Sequence, residues 1–190
     1  MEINLTWDLF IIVFFSVIIA YTFIIGRNQS VKIIISSYIA ILAADSIGNL
    51  LERYFMGEKP IIKIWEMPSE ASSLIVLKIV IFIFTIVLIT TRGKFQINMH
   101  NSQSLMVRMM MSLTYGVLSA GLITSTVFIY ASGASLVQAS SAVMNEAILT
   151  IYKQSQLVRL MINNYNIWFS LPAIAFVISS FFGNEETATV

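Results

Sequence analysis

The run Trp7–Ile25, WDLFIIVFFSVIIAYTFII, carries a single charge, Asp8, at its start. An apolar stretch of roughly 18 residues or more is long enough to cross the hydrocarbon core of a bilayer as a helix. Four further runs follow it: Ile33–Leu51, Ser73–Thr91, Leu105–Tyr130 and Ile167–Phe182. In lipid only helices and closed barrels satisfy every backbone group, and these runs lack the apolar–polar alternation of barrel strands. The pattern predicts an all-α fold, a polytopic helical membrane protein of about five transmembrane helices, with residues 1–190 forming one integral membrane domain. The fifth run is the shortest and contains Pro172.

Composition agrees. Of 190 residues 57% are hydrophobic and 11% charged, where soluble domains carry about a quarter charged. A net charge of +1 leaves no basic field for nucleic acid, which is bound through many phosphate contacts. The chain has no cysteine, which excludes disulfides, thiolate chemistry and Cys-ligated metals. Its first residues, MEINLTWD, lack the positive n-region of a secretory signal, so the first run is expected to remain as an anchor.

Between the second and third runs, Gly57 and Pro60 mark a turn, and PIIKIWEM, bounded by Pro68, predicts a short helical piece at the interface. Ser69 is placed to cap the third span. After the fourth run, Met144, Ala147, Ile148, Ile151, Val158, Met161 and Ile162 recur at helical spacing, with Asn145, Glu146, Lys153, Gln154, Gln156 and Arg159 mostly opposite. This predicts an amphipathic interfacial helix over 142–163. A core-facing or partner-facing helix fits the same pattern, because apolar residues spread widely around it.

Basic residues tie between the two sides. Arg27, Lys32, Arg92, Lys94 and Arg108 fall on one, and Arg53, Lys59, Lys63, Lys153 and Arg159 on the other. GRNQSVK and RGKFQINMHNSQSLMVR are short and free of acids, which favours them inside and the N-terminus outside. Trp7, Tyr54, Trp65, Tyr130, Tyr165 and Trp168 are then expected at one membrane face, where rings with one polar end collect.

Two constellations stand out. Asp45 lies about six residues inside the second run, roughly 9 Å deep at 1.5 Å per residue. Lys78, on the next antiparallel run, stands at nearly the same depth, and Asn49 is one turn from Asp45. Opposite charges at matching depth serve either an ion or proton pathway or a structural pair, and Lys78 has a stem long enough to snorkel. In the fourth run, Ser112, Gly116 and Ala120 form successive small-xxx-small steps flanked by Ser119 and Gly121, which predicts close helix packing within the chain or between copies.

Catalysis fails by elimination. An intramembrane aspartyl mechanism needs two facing carboxylates, and Asp45 is the only one well inside. The sole histidine, His100, sits in a loop without the partners of a site, and no P-loop or dinucleotide fingerprint occurs. No enzyme, metal or cofactor is expected.

The first run opens with an aspartate, "WDLF", and ends at Gly26–Arg27. A second span follows at once, and SLTYGVLSAGLI, preceded by Arg108, places an aromatic–Gly element in a small-residue ladder. Over residues 7–131 this arrangement resembles the colicin V production protein (CvpA) family of bacterial inner-membrane proteins. The family often carries Arg-Gly where Ser119–Ala120 stand here. The resemblance implies a bacterial cytoplasmic-membrane protein linked to toxin production or envelope maintenance. From the residues, the expected role is a non-catalytic packing or assembly subunit whose partners are the lipid bilayer and a second copy or another membrane protein. The alternative is a channel or transporter subunit using Asp45 and Lys78.

Overall fold

A computed structural model of the chain describes residues 6–55, 71–94, 105–134 and 146–181. All regular structure among them is helical: α1 Trp7–Ile25, α2 Arg27–Phe55, α3 Ala71–Arg92, α4 Leu105–Ala131, α5 Glu146–Gln154, α6 Gln156–Asn163 and α7 Tyr165–Phe181. Four of these, α1 to α4, are long and apolar enough to cross a membrane, and a fifth crossing results if α6 and α7 count as one bent span. His100, Trp65, Ser69 and the PIIKIWEM segment lie outside the described residues.

Serine and threonine recur in these apolar helices, and many of their hydroxyls bond back to the carbonyl one turn earlier. Ser16 donates to Ile12, Thr22 to Ile18, Ser37 to Ile33, Ser119 to Tyr115 and Thr126 to Leu122. Such back-bonding removes the cost of carrying a hydroxyl away from water.

The GRNQSVK stretch is not a loop. Gly26 alone turns the chain, at φ 79°, a left-handed conformation glycine adopts without steric penalty. α2 begins at the next residue. Ser30 steadies this first turn by donating to the Gly26 carbonyl at 2.9 Å. The buried Lys32 reaches the Gly93 carbonyl beyond α3 at 2.6 Å. This polar stretch continues as helix, its side chains bonded to backbone at Gly26 and Gly93.

Side-chain pairs fix the directions. Gly116 lies over Thr22 and Phe128 clusters with Ile11, so α1 and α4 run antiparallel. Arg27 meets Met111 and Tyr130 meets Ile41, so α2 and α4 run parallel. α3 returns against α2. In the order of packing, α3, α2, α4 and α1 form a row, and α7 lies against α4. The two inner members carry the core: 61% and 67% of the most apolar windows of α2 and α4 are buried, against 11% and 6% for α1 and α3. Val31, Ile34, Ile41, Phe82, Tyr115, Leu122 and Tyr130 fill the space between α2, α3 and α4.

The amphipathic helix expected over 142–163 is interrupted. Ser155 is extended, at φ −114° and ψ 124°, and caps α6 by accepting from the Val158 amide. It also donates to Asp8 Oδ1 at 2.6 Å, and the Leu157 amide donates to the same oxygen at 3.0 Å. The start of α1 thus holds the start of α6. From there α6 turns its apolar face inward, burying Val158 and Met161 against Ile11 and Phe128. Ser125 of α4 donates to the Met161 carbonyl at 2.9 Å, satisfying one of the acceptors a helix end leaves open. α7 then departs at 63°.

Pro172 sits inside α7. Without an N–H it leaves the Trp168 carbonyl short of its usual donor and loosens the ladder nearby. Tyr38 of α2 works into that opening. Its hydroxyl donates to the Phe169 carbonyl and stands within reach of the Ala173 amide.

Candidate functional site

Asp45 lies about ten residues before the end of α2, and Lys78 about seven residues into α3, which returns from that same end. The helices bring Lys78 Nζ to 3.8 Å from Asp45 Oδ1, outside hydrogen-bonding distance but within ion-pair range. Nζ donates instead to Asn49 Oδ1 at 3.1 Å. Residues i and i+4 share a helix face, so Asp45 and Asn49 present two oxygens to one ammonium group. Asp45 is 1% exposed and Lys78 13%.

Two participants were missed in the sequence. The first is Gly48, on the same face. A Cβ there would come within 2.6 Å of Lys78 Cε and 2.7 Å of Cγ, so the lysine stem occupies the space glycine leaves. A glycine between two polar residues of an apolar run was the available signal. The second is Tyr130 of α4, which the sequence placed among the interfacial rings. It is 1% exposed. Its hydroxyl donates to the Ile41 carbonyl at 3.1 Å and interacts with the Asp45 carboxylate. Phe82 packs edge-on to the Tyr130 ring, with centroids 6.0 Å apart, and closes the cluster on the α3 side. Tyr130 turns inward because its phenol finds an acceptor there, and a buried hydroxyl requires one.

Chemically, one carboxylate, one ammonium, one amide and one phenol meet where α2, α3 and α4 converge. A buried pair of this kind is costly to break and is held in place by its extra hydrogen bonds. No group of three or more His, Cys, Asp or Glu side chains that could hold a metal occurs among the described residues.

The small-residue ladder also faces inward. Ser112, Gly116 and Ala120 are all buried. A Cβ on Gly116 would stand 3.2 Å from Thr22 Cβ and 3.4 Å from Ile19 Cα, so this step packs α4 on α1 within the chain. Gly121 accepts the ring of Trp168, whose Cε3 would lie 2.0 Å from an added Cβ. Trp168 also meets Phe15 edge-on at 6.1 Å.

No family model, no curated protein and no solved structure matches the chain.

Proposed function

We propose that this is an integral membrane protein whose α1 to α4 each cross the bilayer and whose α6 and α7 make a fifth, broken crossing. Its role is that of a non-catalytic assembly subunit. The observation that supports this is how α3 is held. It buries one narrow seam, and along that seam the Lys78 stem fills the gap at Gly48 while its head is shared between Asp45 and Asn49. The cluster thereby fixes the rotation and depth of a helix whose other faces, with Val76, Val80, Phe84 and Leu88, are exposed and apolar. A helix oriented so firmly presents a constant surface to a neighbouring membrane protein. The likeness in the first four runs to the colicin V production family fits such a role in a bacterial cytoplasmic membrane, in toxin production or envelope maintenance, with the N-terminus outside.

The test is photo-crosslinking in the native membrane from Val80 and Phe84. Discrete protein adducts at these positions, heavier than the 21.3 kDa chain and missing at Val13 of α1, are expected. Adducts to lipid alone at every position would overturn the proposal.

A second reading has an observation of its own. Broken helices at depth form binding sites in many transporters, and the 63° bend between α6 and α7 accompanies the Asp45–Lys78 pair. In a channel or transporter subunit, ion flux into reconstituted vesicles depends on Asp45. Equal flux from wild type and Asp45→Asn, or none from either, removes this reading.

A further inference from the structure

At the end of the bundle opposite Trp7, two separate turns each carry cationic groups. Arg27 and Lys32 belong to the first two turns of α2, Arg92 ends α3, and Lys94 follows two residues later. The 2.6 Å bond from Lys32 to the Gly93 carbonyl ties the turns to each other. Arg27 is steadied by its 3.0 Å approach to Met111 of α4. Arg92 and Lys94 are exposed. Among the described residues the acids lie elsewhere: Asp8 begins α1 at the far end, Asp45 and Glu52 lie in the later part of α2, and Glu146 opens the helix that leads to Asp8. Among the described residues, this end therefore carries cations and no acid.

Directly beside these cations the helix walls are apolar and uncovered. Ile24 is 82% exposed, and Phe23, Leu88 and Met110 are exposed with it. A phosphate group on the cations and hydrocarbon along these walls are the two halves of one molecule. We propose that this end of the bundle binds anionic phospholipid, its phosphate held by Arg92 and Lys94 and its acyl chains lying against the end of α3. Basic groups next to membrane helices attract anionic lipid by about 1 kcal/mol each, which is roughly fivefold in affinity per group. Free phosphate matches only the charged half.

Native mass spectrometry of the detergent-purified chain, given equal amounts of phosphatidylglycerol and phosphatidylcholine, tests the proposal. Preferential retention of phosphatidylglycerol is expected. Arg92→Gln with Lys94→Gln should lower that preference by roughly fivefold for each charge removed, whereas Lys153→Gln with Arg159→Gln, at the other end, should leave it unchanged. Helix content by circular dichroism confirms that the variants are folded. Should the Arg92/Lys94 double variant fail to fold, Lys94→Gln alone, beyond the end of α3, carries the comparison. Equal retention of both lipids by the wild type overturns the proposal, and so does a preference equally reduced in both double variants. Displacement of the lipid by inorganic phosphate, beyond that by sodium chloride of equal ionic strength, assigns the cations to a soluble phosphate and also overturns it.

Discussion

The hydroxyl of Ser155 donates to Asp8 Oδ1 at 2.6 Å, joining the break between α5 and α6 to the first turn of α1. Asp8 supplies an acceptor that the N-terminus of α6 cannot find within itself. Asp8→Ala should lower stability by removing a cap from α6. Amide exchange at Leu157 and Val158 should accelerate while α4 keeps its protection. Uniform acceleration across both helices would show that Asp8 does not act on α6 in particular.

Lys78→Met leaves the Asp45 carboxylate buried without its counter-charge. A loss of roughly 3–5 kcal/mol is expected, read from denaturant unfolding in detergent. Asp45→Asn combined with Lys78→Met should recover most of it. Exchanging the charges, Asp45→Lys with Lys78→Asp, should recover less, since the space for a long stem lies at Gly48 opposite position 78. Full rescue by exchange would mean that charge alone, and not shape, defines the pair.

Gly48→Ala forces the Lys78 stem aside, because the new methyl would sit 2.6 Å from Cε. The cost should be about 1–3 kcal/mol, as for other overpacked sites. In a Lys78→Ala background the same change should be nearly neutral, giving a strongly non-additive cycle. Additive losses would show that Gly48 matters for another reason.

Gly116→Leu should destabilise the single chain by driving α1 from α4, so unfolding shifts whether or not copies associate. Gly121→Ala should displace Trp168 and be partly rescued by Trp168→Ala. A lowered melting temperature without any change in oligomer size checks the first, and tryptophan fluorescence follows the second.

The absence of cysteine makes single-cysteine labelling direct. Thr6→Cys and Lys94→Cys lie at opposite ends of α1 to α4 and should react with impermeant reagents from opposite sides of the membrane. Labelling of both from one side would refute the proposed crossings.

Long apolar runs made four helices legible in the sequence, and α1 has the bounds the sequence predicts. Boundaries failed where polar residues found backbone partners. α2 starts at Arg27 rather than Ile33, with Ser30 bonded back to the Gly26 carbonyl and Lys32 to the Gly93 carbonyl beyond α3. Ser155 looked like one more polar residue of an amphipathic helix, since its partner, Asp8, lies at the far end of the chain. Matching depth suggested the Asp45–Lys78 pairing because antiparallel neighbours share a coordinate along their axes. Tyr130 escaped notice because a tyrosine near a span end reads the same whether its phenol points to water or inward. Only the rotation of α4, set by packing against α1 and α2, distinguishes the two.

At 1.5 Å per residue, the 17 residues of α7 measure about 26 Å, short of a hydrocarbon layer of about 30 Å. A helix of this length stands at the lower limit of what crosses a bilayer by itself. The missing length comes from α6, and α6 has its place only between α1 and α4. The C-terminal portion thus depends on a berth that α1 and α4 build for it. A C-terminal fragment synthesised alone has no such berth to enter.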